Sequence, residues 1–531
     1  MTTDNTSTST DSATAPDTAA ELRVQQLDPH SLLVDANVRH DTRADADLVA
    51  SVRDLGVLVP IVAVRTADGR LRVRLGHRRT LAAIEAGRPT VPVVVTADET
   101  VGDAAEVERL VTQWAENEHR AGLTTAERVG VIAQLAAFGI SPTQIAKRTR
   151  VKRGEVTAAL AVAGSDLAQA ATVRHDFLDL AQAATVAEFE DDPEAVKALV
   201  LAARGGQFDH TAQRLRDARA ETAERARVAD ELRTAGMTVI DRPGYGDTAT
   251  DLQRLTDTDG VQLTADNHAG CPGHAAYVTT LSGYVTPGAE LPTSDDAGTL
   301  DDPEDSDEAG NQSQPVWRSW IGARYVCTDP AGHGHHDRWA TSESDADRKK
   351  AAEMDEGERE AARAQRRDVI ESNKAWASAE TVRRTWLRAL LTRKTAPKGS
   401  AAFLAAALAH DGTMVTGAGG NQLAAELLGC TETAGYGRST ALAGLVEQAG
   451  EARALTLALG QVLAGYEECT DRSDWRTVRP HTARYLRFLQ SCGYTLAPVE
   501  QRACGEQPPP DAPPAEDEAS GLDEPEAANA P

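Results

Sequence analysis

No cysteine occurs in the first 270 residues of this 531-residue chain. Thiol chemistry is therefore excluded from its N-terminal half. Aromatic residues make up only 4 % of the chain. No apolar run is long enough to span a bilayer, so a membrane protein is not expected. The opening residues, MTTDNTSTSTDSATAPDTAAE, have neither the basic start nor the apolar stretch of a signal peptide, and a cytosolic chain is expected. Lys and Arg are missing from residues 1–21, 290–310 and 505–531, which together hold 21 acids. These stretches are rich in Thr, Ser, Pro and Ala and read as disordered, self-repelling segments. They carry most of the formal net charge of −26. The acidic total thus says little about the folded parts and does not exclude a nucleic-acid binder. The six cysteines begin at Cys271, and their even number is no evidence for disulfides in a reducing compartment.

The length calls for several domains. Residues 22–27 suit a short strand. Residues 44–56 suit a helix with Leu48, Val52 and Leu55 on one face. The runs VLVPIVAVR and LRVRL flank an Asp-Gly turn at 67–70, which is the pattern of a hairpin. Gly76 opens a second helix, and VPVVV at 91–95 reads as a buried strand. A small α/β domain over 22–100 follows.

From about residue 103 the apolar period becomes helical, with Val107, Leu110, Val111 and Trp114 on one face. Thr124 and Glu127 have the spacing of a capping box, and Ser141-Pro142 is an N-cap followed by Pro at the first helical position. Helix, Gly turn, short helix, turn and helix over 125–163 is the layout of a major-groove reader. Lys147, Arg148, Arg150, Lys152 and Arg153 face one acid, Glu155, between residues 139 and 163. Such a patch suits DNA phosphates, with Lys152, Arg153 and Thr157 where base-reading side chains belong. A helical hairpin with a solvated basic face is the simpler alternative. The coincidence of cap, turn, length and charge favours double-stranded DNA.

Two further segments carry chemistry. In GHRR, at 76–79, a Gly at a strand-to-helix junction lets backbone amides approach a phosphate. Arg78 and Arg79 can add charge-assisted hydrogen bonds there. In ENEHR, at 116–120, Glu116 and Asn117 could hold or orient hydrated Mg2+, which prefers oxygen ligands.

In this order the motifs resemble the ParB family. GHRRTLAAIEAG is similar to that family's arginine-bearing motif after the second hairpin strand. ENEHRAGLTTAERV is similar to its Glu-Asn-x-x-Arg motif, and LGVLVPIVAVR to its segment ending in Pro-Ile. The resemblance spans about residues 22–210. It implies a homodimer that recognises a centromere-like DNA site, works with a ParA-type ATPase, and binds CTP with Mg2+ as a sliding clamp. By the same resemblance Gly76, His77, Arg78 and Arg79 would hold the triphosphate, with Arg39 and Pro60 near the nucleotide. Asn117 would support the metal, Glu116 would assist a weak CTPase reaction, and Arg120 would brace the site. A nucleoid- or plasmid-associated location goes with this reading. The sequence departs from the family at His77, where Glu is usual, at Leu81, and at Val59.

The expected fold class is α+β and multidomain. A small ParB-type α/β domain precedes an all-α domain over 101–235 that holds the helix-turn-helix. A mixed segment, 236–340, and an all-α C-terminal region, 341–500, come next, with disordered acidic tails. In the mixed segment Cys271-Pro-Gly-His274 has the spacing of a zinc half-site. Cys327 with His333, His335 or His336 would supply the other half, making a structural Zn2+ staple.

Three functions compete on this sequence. One is partition through a DNA-site binder with a nucleotide-gated clamp. Another is transcription regulation of a mobile element without clamp activity. The third is an enzyme on the same small fold. A sulfiredoxin-like reading fails because Leu75, not cysteine, precedes Gly76. A ParB-like nuclease stays among the readings, although the sequence shows no convincing carboxylate cluster for it.

Overall fold

The computed structural model describes residues 24–34, 46–66, 68–98, 102–120, 123–244, 247–285, 291, 316–338, 356–417, 422–430 and 440–506. Apart from Leu291, Gly505 and Glu506, the three acidic stretches lie outside the described residues, as does Arg39. The chain divides into two compact units, Met1–Phe208 and Asp209–Pro531. The helical segment expected over 101–235 is thus divided between them. Among the described residues no single helix is long and apolar enough to cross a membrane.

The first unit begins with β1 (Val24–Leu27), β2 (Leu32–Leu33), α1 (Ala46–Leu55), β3 (Ile61–Arg65), β4 (Leu71–Leu75), α2 (His77–Glu85) and β5 (Val91–Asp98). The five strands form one mixed sheet in the order β1-β5-β3-β4-β2. β3 and β4 make the expected antiparallel hairpin. The Thr66 amide donates to the Arg70 carbonyl at 2.8 Å across its turn, where Gly69 takes a φ of +83° that costs glycine little. Alternation decides which strand side chains go inside: Ile61, Ala63, Val91 and Val93 are all fully buried. Each large apolar side chain so buried contributes about 1.5–3 kcal/mol. On α1 the structure buries Val49 and Val52 and leaves Leu55 exposed, so Leu55 does not join the face expected for it.

Seven helices follow: α3 (Asp103–Arg120), α4 (Thr125–Ala137), α5 (Pro142–Thr149), α6 (Arg153–Ala163), α7 (Asp166–Arg174), α8 (Leu180–Ala187) and α9 (Pro193–Arg204). Thr124 and Glu127 form the capping box of α4, and Ser141 caps α5. α6 packs against α4, α5, α7 and α8. Val156, Ala159 and Val162 are its fully buried face.

The second unit contains the helix α10 (Phe208–Thr234) and a four-stranded sheet. Its strands are β6 (Thr238–Val239), β7 (Thr250–Asp251), β9 (His274–Val285) and β10 (Val316–Cys327), in the order β6-β9-β10-β7. β9 and β10 pair antiparallel along their whole length, with His274 opposite Cys327. Between β7 and β9 lie β8 (Leu255–Thr256), which pairs with β11 (His336–Asp337), and the one-turn helix α11 (Ala265–His268). Arg225 of α10 donates to the Val278 carbonyl at 3.3 Å and to Thr280 Oγ1 at 3.1 Å, tying the helix to β9.

The C-terminal helices are α12 (Glu356–Leu391), α13 (Ser400–Gly417), α14 (Gln422–Leu427), α15 (Thr440–Glu447), α16 (Glu451–Cys469), α17 (Pro480–Ser491) and α18 (Pro498–Ala503). They enclose one large core that includes Trp376, Leu387, Phe403, Leu463, Tyr466 and Tyr485. α13 and α16 approach so closely that a Cβ at Gly465 would stand 2.9 Å from the Val415 Cα. Lys374 of α12 pairs with Glu221 of α10 at 2.6 Å.

Candidate functional site

Gly76 has a φ of +101° and ends β4 by turning directly into α2. A non-glycine residue would be strained in this left-handed region, although the space around the Cα holds only ordinary contacts at 3.5 Å. The first N–H groups of α2 have no acceptor within the helix and together favour an anion. His77 is buried, and Arg78 and Arg79 are half-buried beside it. Arg79 turns back on the chain: its Nη1 donates to the Val59 carbonyl at 2.6 Å and to the Pro60 carbonyl at 3.2 Å. That guanidinium locks the 59–60 loop onto the start of α2. Thr80, which the sequence did not single out, is fully buried, and its hydroxyl donates to the Gly76 carbonyl at 3.2 Å. Glu116, Asn117 and Arg120 lie in the last turns of α3, and their side chains are outside the described residues.

The basic cluster lies on α5, α6 and the turn between them. Lys147, Arg148, Arg150, Lys152, Arg153 and Thr157 are all exposed. Ile145, Thr149, Val156 and Ala159, on the opposite faces, are buried. Periodicity explains this division, because each helix puts its apolar stripe inside and turns its cations to solvent. Arg150 has a φ of +60°, the one positive value at a non-glycine residue among those described. Such a backbone costs roughly 1–2 kcal/mol outside glycine. It sets the turn after which Lys152 caps α6 and Arg153 begins it. The Thr157 hydroxyl is bonded to the Arg153 carbonyl at 3.1 Å within the helix.

The expected zinc ligands are redistributed. Ligand atoms of His268, Cys271, Cys327 and His335 lie within 4.8 Å of one another. Cys271 and Cys327 are in this cluster as anticipated, but His268 stands where His274 was expected, and of His333, His335 and His336 it is His335 that joins them. His274 already belongs to β9 and stacks on Tyr325, with ring centroids 5.6 Å apart. His333 Nδ1 lies 3.5 Å from Cys327 Sγ, yet His333 is outside the fourfold group. The overlooked signal was His268-x-x-Cys271, which has the same two-residue spacing on the other side of Cys271.

Residues 9–109 match the family model described as the ParB N-terminal domain. The "Probable chromosome-partitioning protein ParB" of Treponema pallidum is 32 % identical over 151 residues, 27 % of this chain and 44 % of that protein. The protein of the same name from Mycobacterium leprae is 34 % identical over 123 residues, 22 % of this chain and 35 % of its own length. The matches therefore span less than half of either relative. A C-terminally truncated ParB of Caulobacter crescentus, solved with the centromeric parS site, aligns at 22 % identity over 34 % of this chain and 96 % of its own, with a TM-score of 0.27. The same protein solved with CTP-gamma-S aligns at 25 % identity over 34 % of this chain and 98 % of its own, with a TM-score of 0.16. The likeness to the ParB family therefore lies in the N-terminal residues of this chain.

Proposed function

We propose that this protein is a partition-type DNA-binding protein, reading a centromere-like site with a helix-turn-helix made of α5 and α6. The observation that carries this reading is a continuous run of chain. A ParB-type N-terminal domain leads into a helical segment whose exposed cations have no acidic partner among the described residues. Arg153 and Lys152 would stand at the mouth of the major groove, where side chains at a recognition-helix start reach base edges. Lys147, Arg148 and Arg150 would neutralise phosphates, and Thr157 would lie on the same exposed side.

CTP gating with Mg2+ is the second part of the proposal. It rests on the likeness of GHRR and ENEHR to the family motifs and on the left-handed Gly76 at the start of α2. Backbone amides of α2 would cradle the phosphates beside His77 and Arg78, near Pro60 and Arg39. Asn117 would hold the metal, Arg120 would brace it, and Glu116 would direct slow hydrolysis. Arg79 would either stay on the 59–60 carbonyls or exchange them for phosphate. A homodimer, a ParA-type ATPase partner and a nucleoid or plasmid location complete the reading. Regulation of a mobile element is the alternative, in which the fold serves without nucleotide.

Titration of the full chain with CTP, ATP and GTP plus Mg2+, with and without selected DNA, tests the proposal. Selective CTP binding that Arg79→Ala abolishes is the expected result. DNA binding that no nucleotide alters would turn the assignment to the regulator. Failure to select any DNA sequence would sink both readings.

A further inference from the structure

We propose that His268, Cys271, Cys327 and His335 hold one structural zinc ion that locks the mixed segment of the second unit. The four donors come from separate places in the chain. His268 ends α11, Cys271 lies in the turn before β9, Cys327 ends β10, and His335 lies in the loop before β11. Their ligand atoms are mutually within 4.8 Å. Zinc bonds of about 2.0–2.3 Å at tetrahedral angles put donor atoms roughly 3.3–3.8 Å apart, so a small inward shift closes the site.

The surroundings carry the argument further. His268 is 2 % exposed, and its Nε2 is buried with no hydrogen-bond partner. Both ring nitrogens of His335 are buried and unpartnered as well. Leaving such atoms unpaired inside a protein is unfavourable, and a metal bond removes the penalty. His268 Nδ1 lies 2.8 Å from His274 Nδ1, so one ring nitrogen is held from outside while Nε2 is left for the ion. A hydrogen bond on the second ring nitrogen is the usual support of a metal-bound histidine, and here another imidazole supplies it. His274 thus has a role, as the outer partner instead of a ligand.

Two features show that the backbone is built around this point. A Cβ at Gly273 would stand 2.9 Å from Cys327 Sγ and 2.8 Å from the His333 ring, so only glycine lets the chain pass the sulfur. The Thr328 amide donates to the Gly273 carbonyl at 2.9 Å, joining the two cysteine-bearing turns. Among the described residues the local core is Leu252, Leu255, Leu263 and Cys327, with Cys271 and Tyr325 against it. β7, β8 and β11 are two residues each. So small a core needs a staple. Two thiolates and two neutral imidazoles cancel the charge of a divalent cation, which lowers the cost of burying it. Because all four positions are filled by the protein, the site is closed and structural.

The test uses the full chain, purified under reducing conditions without chelator. One zinc per chain is expected by elemental analysis. Cobalt exchanged into the site should give thiolate-to-metal and tetrahedral d–d absorption. His268→Ala, Cys271→Ser, Cys327→Ser and His335→Ala should lose both signals, whereas His333→Ala keeps them. His274→Ala should keep the ion but weaken it by about 10- to 100-fold. His335 is half-buried in a loop, so its variant guards against loss by unfolding. On chelation, hydrogen exchange should quicken across 250–285 and 316–338 and stay unchanged in the C-terminal helices. Substoichiometric zinc together with no cobalt absorption would overturn the proposal. So would a metal lost in His333→Ala but retained in His335→Ala.

Discussion

Arg153, at the start of α6, is exposed and makes no ion pair among the described residues. Arg383, in α12, is fully buried between two carboxylates. Its Nε and Nη2 donate to Glu467 at 2.7 and 3.0 Å, and its Nη1 to Glu500 at 2.5 Å. Tyr485 adds a hydrogen bond to Glu467 at 2.7 Å, and the Ala497 amide one to Glu500 at 2.8 Å. Burial alone would lower the pKa of Arg383, but Glu467 and Glu500 hold it well above its ordinary value. The same side chain therefore does opposite work in the two units. A cation kept in water, free of acids, is available to an outside anion. One enclosed with its counter-ions belongs to the core and is available to nothing else.

The largest expected effect breaks the buried half of this comparison. Arg383→Ala leaves Glu467 and Glu500 buried without their counter-ion and should cost about 3–5 kcal/mol. Urea unfolding followed by tryptophan fluorescence measures it; a loss under about 1 kcal/mol would contradict the enclosed network. Replacing Arg383, Glu467 and Glu500 together by apolar residues should restore much of the stability, because no charge is then stranded.

The exposed half should behave in the reverse way. Lys152→Ala with Arg153→Ala should leave urea unfolding unchanged. DNA affinity should fall, and the dependence of binding on salt should lose roughly one unit of slope per phosphate contact removed. Unchanged affinity and slope would exclude α6 from the interface.

Arg150→Gly sharpens the contrast within one residue. Relief of its left-handed backbone should raise stability by up to about 1 kcal/mol, after allowance for glycine's extra freedom when unfolded. Loss of the cation should weaken DNA binding at the same time. A variant more stable yet equally tight would remove Arg150 from the phosphate contacts, and one no more stable would contradict the strain assigned to its backbone.

The smallest effect concerns an exposed pair in the β3–β4 turn. Hydrogen bonds from the Thr66 hydroxyl and from Arg70 hold Asp68 down from an ordinary 3.8 to about 2. Because the folded value is the lower one, its contribution is present above 3.8 and disappears as pH falls through about 2. Asp68→Asn should flatten the acid limb of stability in that window. An unaltered acid limb would remove Asp68 from the account.

How much was legible in advance depended on distance along the chain. The Asp-Gly hairpin, the start of α2 at Gly76, both helix caps and the exposed basic face all rest on residues a few positions apart. Propensity and periodicity report such relations directly. β2 was not foreseen, because two residues following a short turn carry no period. The pairing of Arg383 with Glu467 and Glu500 spans 84 and 117 residues, so no local pattern announces it. The side chains of Glu116, Asn117 and Arg120 were singled out from sequence and lie outside the described residues, as does Arg39.

The proposed zinc cluster divides along the same line. Sequence alone marked Cys271 and Cys327 as candidate ligands, because cysteine beside histidine at close spacing is uncommon and chemically specific. It could not choose among His268, His274, His333, His335 and His336, since all lie within nine residues of a cysteine. The tertiary structure decided that choice. Pairing His274 with Cys327 across β9 and β10 commits His274 to the sheet, and the turns on either side bring His268 and His335 to the sulfurs. Local sequence determines which way a side chain faces on its own helix or strand. Which distant side chains meet is settled by packing and strand register, and those exist only once the chain has folded.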